Sequence, residues 1–236
     1  MKLLSVNDDA KTVKGSRYGY LTGILYLAPA KLSGYEVCVS RSAGCTNACL
    51  GRAGRGAFES VQNARIAKTQ RLFNDRAGFL TDLRRDIVAL VAKAKRENLI
   101  PCVRLNGTSD LGWEGLARDI MREFADVQFY DYTKVLSRML RYCDGRLPSN
   151  YHLTFSRSES NWSDCLTVLN AGGNVAAVFE VLPESFAGFR VVPGDESDLR
   201  FLDDRGVIVG LSAKGPAKRD ESGFVVRVRE LVEVTA

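Results

Sequence analysis

Short, nearly unbroken apolar runs recur along the chain, each followed by a polar turn. The clearest lie at 102–105, 127–130, 151–155, 175–179 and 207–211, with weaker ones at 21–27, 36–39, 189–192 and 224–228. Apolar runs of four or five residues read as strands buried on both faces, the habit of parallel sheets. Between them the period changes. Leu80, Leu83, Ile87, Leu90, Val91 and Ala94 recur every three or four residues, while Asp82, Arg84, Arg85, Lys93 and Lys95 fill the rest. That spacing predicts an amphipathic helix. Asn74-Asp75 and Gly78 are expected to break it from an earlier helix at 60–73. Further helices are predicted at 113–124, 134–142 and 162–169, the last stopped by Gly172-Gly173. Alternating strands and helices predict an α/β fold. Parallel β/α repeats would form a full or partial (β/α) barrel or an open sheet, as one domain over 1–236 with a cysteine loop at 38–56.

The polar residues are concentrated just after these strands. Asn106, Thr108, Ser109 and Asp110 follow the first clear run, Asp131, Tyr132 and Lys134 the next, and Ser156, Arg157 and Glu159 the third; Lys214 follows the last. Ligands of parallel sheets gather where strands exit. One polar loop means nothing, but repeated clusters at successive exits predict a pocket for a small-molecule ligand. Asp131, Lys134 and Glu159 are its candidate catalytic groups, with Tyr132, Ser156, Arg157 and Lys214 lining it. Each has an ordinary alternative: Asp131 and Ser158, for example, precede helical patterns and suit N-caps.

The strongest chemical signal is Cys38, Cys45 and Cys49, spaced C-x6-C-x3-C in a stretch that continues into Arg52-Ala53-Gly54-Arg55-Gly56. Thiolates select iron–sulfur clusters or zinc. Free cysteines are commonly buried as small hydrophobes, yet three so close together, among Gly, Asn and Arg, make a poor core pattern. A structural zinc site wants four ligands, usually in close pairs, and the only histidine, His152, is distant and inside a strand. Cys102 and Cys143 are expected at the far end of their elements, which leaves Cys165 as the credible fourth thiolate. Arg52 and Arg55 suit a carboxylate or phosphate, or belong to a basic loop before a helix.

Composition narrows the setting. With 236 residues, 45% hydrophobic and 26% charged, the chain reads as one globular domain large enough to need no staples. No stretch approaches the ~20 apolar residues of a membrane span, and MKLLSVNDDAK falls short of a signal core. A cytoplasmic protein with no membrane partner is expected, and there clustered cysteines point to metal or redox chemistry rather than disulfides. A net charge of +5, with both signs interspersed, permits nucleic acid as a partner without demanding it. Arg52, Arg55, Arg65, Lys68 and Arg71 would form the basic strip for that alternative.

The segments GYLTGILYLAPAKLSGYEVC, GC-x3-CL with AGRG, RLNGTSDLGWE, VQFYDYTK, YHLTFSRSE and VIVGLSAKG together resemble the gene-product-eighty-eight-like family of phage proteins over most of the chain. That resemblance implies a phage or prophage protein in a host cytoplasm and supplies no activity. In architecture the cysteine loop after an early strand also resembles radical S-adenosylmethionine enzymes. This second resemblance implies a 4Fe-4S cluster on Cys38, Cys45 and Cys49, with an open iron for the amino and carboxylate groups of S-adenosylmethionine. Asn106, Thr108, Ser109 and Asp110 would then bind the cofactor's amino end, and Arg52 or Arg55 its carboxylate. The chain departs from that superfamily's C-x3-C-x2-C spacing and has no Gly-Gly-Glu after the second strand. The expected function is a phage-encoded iron–sulfur protein of radical S-adenosylmethionine type. The alternative is a non-enzymatic cluster- or zinc-bearing protein engaging host nucleic acid or a host regulator.

Overall fold

In a computed structural model of the chain, the described residues are 1–6, 10–49 and 54–228. The strands are β1 (Leu4–Val6), β2 (Tyr20–Leu25), β3 (Ile100–Arg104), β4 (Gln128–Thr133) and β5 (Tyr151–Ser156), then β6 (Val175–Phe179), β7 (Ser185–Phe186), β8 (Phe189–Pro193), β9 (Ile208–Ser212) and β10 (Val225–Val226). The helices are α1 (Ala10–Gly15), α2 (Ala30–Ser33), α3 (Ala43–Asn47), α4 (Glu59–Asn74) and α5 (Arg76–Arg96), then α6 (Trp113–Leu116), α7 (Arg118–Glu123), α8 (Leu136–Cys143) and α9 (Trp162–Asn170). No described helix is long and apolar enough to cross a membrane.

The fold is mixed α/β with a mostly parallel sheet. β1 pairs antiparallel with β2, and β7 with β8. The pairs β2–β3, β3–β4, β5–β6, β6–β9, β8–β9 and β6–β10 are parallel. The hydrogen-bonded path runs from β1 to β7 and has two ends, so the sheet is not closed into a barrel and takes the open form that the strand–helix alternation also allowed. The cause lies in the connections. Up to β6 the strands alternate with helices, but β6 to β9 are linked by a hairpin and by loops holding only a short 3-10 turn at Arg200–Leu202. The hairpin turns through Ala187 and Gly188, both at positive φ. Without crossover helices the repeat lapses, and short antiparallel strands occupy both ends.

The chain divides into two compact units, Met1–Val39, Leu50–Asp131 and Leu147–His152 forming the first, and Ser40–Cys49, Tyr132–Arg146 and Leu153–Ala236 the second. In the first, α5 buries Leu83, Ile87, Leu90 and Ala94 of the face its periodicity predicts, but Phe79 and Asp82 are buried as well, while Leu80 and Val91 are only half-buried. Asn74-Asp75 does separate α4 from α5, but Gly78 lies inside α5, where its amide donates to the Asp75 carboxylate at 2.9 Å. The run at 36–39 is not a strand, and the helix predicted at 113–124 is two short ones that meet at Ala117, whose φ of −127° interrupts the helical path.

In the second unit, β9 pairs with all of β6 from Val175 to Phe179. On the other edge, β5 pairs only with Val175 and Ala176, and β10 takes over at Val178 and Phe179. β5 therefore leaves the edge of β6 as it exits, and the chain around 220–226 fills that place.

Candidate functional site

Within the first unit, the loop after β3 is built around Asn106, which is 2% exposed. Its Oδ1 accepts hydrogen bonds from Ser109 Oγ (2.8 Å), Leu111 N (2.9 Å) and the indole Nε1 of buried Trp113 (3.0 Å), and its Nδ2 donates to Leu111 O. Thr108 Oγ1 donates to Leu27 O at 2.7 Å, and Asp110 N to Val37 O. Of the residues expected to hold a cofactor, Asn106 and Ser109 thus direct these polar atoms into their own loop, and Thr108 directs its hydroxyl to the chain after β2. Asp131 is fully buried; Oδ1 accepts the Asn106 amide at 2.6 Å and Oδ2 the Tyr151 hydroxyl at 2.8 Å. Asp131, within β4, ties the loop after β3 to the first residue of β5, a bracing role in place of the N-cap considered from sequence. Cys38 also belongs here, its Sγ 3.8 Å from Thr108 O and its amide donating to Glu36.

Cys45 and Cys49 belong to the second unit. Ser42 caps α3, its Oγ accepting from Cys45 N at 3.1 Å. Cys45 is half-buried and Cys49 exposed. Glu159, leaving β5, reaches this helix: Oε2 accepts from Ser42 Oγ at 2.6 Å and Oε1 from Gly44 N at 2.7 Å. Burial pushes the Glu159 carboxyl up, but these hydrogen bonds outweigh it and hold the group below its ordinary pKa. Arg157 Nη1 donates to the carbonyls of Gly223 and Phe224, both at 3.0 Å. At the exit of β4, Tyr132 donates to Asp198 at 3.1 Å and Lys134 is half-buried; Lys214 pairs with Asp195 at 2.6 Å. Arg52 lies outside the described residues, as does the side chain of Arg55.

None of the six cysteines is in a disulfide, and they differ in burial. Cys102 is buried in β3, its Sγ 3.1 Å from Thr22 Oγ1. Cys165 is fully buried, its thiol pushed up to about 12 by burial against the pull of Arg157 and Lys134. Cys143 is half-buried at the end of α8, and burial raises it too, despite Arg205. Among the described residues no group of three His, Cys, Asp or Glu is gathered to hold a metal ion. The donor chemistry of Cys38, Cys45 and Cys49 suits a soft metal; the assembled geometry for one is not there, so no chemical step is derived through it.

Several residues central to this arrangement carry little signal in sequence. Ser42 and Gly44 are ordinary loop residues until Glu159 is seen on them, and Tyr151 reads simply as a strand aromatic. Of the expected basic strip, the three residues that lie on α4 make contacts within the chain. Arg65 is buried with its guanidinium 5.0 Å from the Tyr26 ring centre, Lys68 donates to Leu3 O, and Arg71 pairs with Asp82 at 2.7 Å.

No curated protein and no solved structure matches the chain. The family described as gene product 88 matches it over residues 2–228, which is nearly its whole length, and the chain belongs to that family.

Proposed function

We propose that this chain is a thiolate metal protein in which Cys38, Cys45 and Cys49 take up an iron–sulfur cluster. One observation carries the proposal: Cys38, Cys45 and Cys49, close together in sequence, are half-buried or exposed, whereas Cys102 and Cys165 are packed in the core and Cys143, half-buried at the end of α8, stands alone in sequence with its thiol raised by burial. Metal binding and local ordering are coupled in thiolate sites, so the loop would close around its metal rather than present a finished cage. Three thiolates would leave a four-iron cluster with an open position for a small molecule. S-adenosylmethionine has the amino and carboxylate groups for such a position. The acceptors assigned to it are engaged within the protein, Asn106 and Ser109 in their own loop and Thr108 on Leu27 O, and the sheet is open, so the proposal rests on the cluster and not on that cofactor.

Anaerobic reconstitution with ferrous iron and sulfide, followed by metal and acid-labile sulfide analysis, tests this. Cys38→Ala, Cys45→Ala and Cys49→Ala should each lose most of the cluster. Cys102→Ala, Cys143→Ala and Cys165→Ala should keep it, the first and third at a cost of about 1–3 kcal/mol in stability for the core volume removed. Zinc without sulfide would make the centre a zinc site, and no metal from either source would end the proposal.

A further inference from the structure

We propose that Glu159, Ser42 and Gly44 form a latch that sets the position of Cys45 and Cys49, with Glu159 as its positioning residue. The metal arm of this inference rests on the thiolate proposal above, and the thiol arm on the second unit's geometry alone. The two carboxylate oxygens of Glu159 hold separate points of the cysteine helix, the side chain of Ser42 and the backbone of Gly44. α3 has five residues, too few to persist as a helix in isolation. Its start is fixed from outside instead. Ser42 passes the constraint on, since the hydroxyl that donates to Glu159 also accepts from Cys45 N.

The opposite jaw is the chain at 222–224. A Cβ on Gly44 would lie 2.3 Å from Ser222 Oγ and 2.6 Å from Phe224 Cβ, so only glycine fits between. Arg157, two residues before Glu159, holds that jaw by its carbonyls. Both jaws are therefore held by side chains from the exit of β5. With both oxygens committed to the helix, Glu159 acts on the thiols through Ser42 and Gly44, and the catalytic role expected for it from sequence gives way to a positioning one.

The test is time-resolved alkylation of the metal-free, reduced full chain with N-ethylmaleimide, read site by site by peptide mass spectrometry. Cys38 serves as the internal reference. Glu159→Ala should raise the rate at Cys45 about tenfold relative to Cys38, the factor expected when a charged hydrogen bond is lost from a local opening equilibrium. Glu159→Gln keeps an acceptor for Gly44 N and should fall between wild type and Glu159→Ala. After reconstitution, Glu159→Ala should hold several-fold less acid-labile sulfide per chain, with Glu159→Gln partly restored. Ser42→Ala removes a single hydroxyl and decides the same question should Glu159→Ala not fold. Unchanged Cys45 alkylation in both Ser42→Ala and Glu159→Gln overturns the latch. A wild-type chain that takes up no metal overturns the thiolate proposal, while the alkylation result still decides the latch.

Discussion

Tyr151→Phe removes one hydroxyl and leaves Asp131 Oδ2, buried beneath the strand exits, without that donor. A buried polar group stripped of a partner costs about 1–3 kcal/mol. Urea denaturation should show a loss in that range, with cluster content unchanged, since neither Tyr151 nor Asp131 is one of the proposed ligands. Gly107 offers a second test at the same scale. A Cβ there would stand 2.6 Å from Leu25 O and 2.7 Å from Ile24 Cγ2, and the first of these is backbone that cannot step aside. Gly107→Ala should cost about 1–3 kcal/mol through the overpacking it forces, measured by the same denaturation. Asn106 was legible as a polar residue after a strand. That its side chain would turn inward to the Trp113 indole, and not outward to a ligand, was not.

The cysteine helix α3 packs at Gly44 against the segment that leads into β10, a strand of two residues braced by Asp220. Asp220 Oδ2 accepts from Val225 N at 3.0 Å and Oδ1 from Ser222 Oγ at 2.6 Å. Burial pushes this carboxyl up, but the hydrogen bonds from Ser222 and Val225 pull harder, and its pKa falls below the ordinary 3.8. A depressed carboxylate stabilises fully above its unfolded value and loses that contribution as pH falls through its folded value. Hydrogen exchange at Val225 should thus stay protected down to the ordinary carboxylate range and open only below it. Asp220→Asn should abolish this acid step and leave weaker protection at every pH. The longer elements were the most legible. α5 largely followed its apolar period, α4 formed where a helix was expected, and Asn74-Asp75 marked the break between them. β1, β7 and β10 are too short for a run of two or three residues to show a period.

At the scale of the whole chain, the strand path ends at β1 and β7, and ends need protection against pairing with other chains. β1 is short, and the Leu3 and Leu4 amides donate to Asp86 of α5 at 2.5 and 3.0 Å. β7 is only two residues long. Amides of β3 should exchange more slowly than those of β1 within the first unit, and amides of β6 more slowly than those of β7 within the second. Native-state exchange measured residue by residue checks this. Equal protection from centre to edge would contradict an open sheet and suit a closed one.

The sequence by itself determined the α/β class, the five principal strands, the paired helices α4 and α5, and the family, because these rest on period and motif within short stretches of chain. It also marked out Cys38, Cys45 and Cys49 by density alone. Tertiary structure decided the rest. Whether the sheet closes depends on strands that never pair, and no local pattern records that. Asp131 meets the Asn106 amide 25 residues away and Glu159 meets Ser42 117 residues away, so the same carboxyl chemistry became a brace in one place and a latch in the other. A carboxylate's type and position say that it can accept hydrogen bonds. Only the fold brings the donors, and the donors settle what it does.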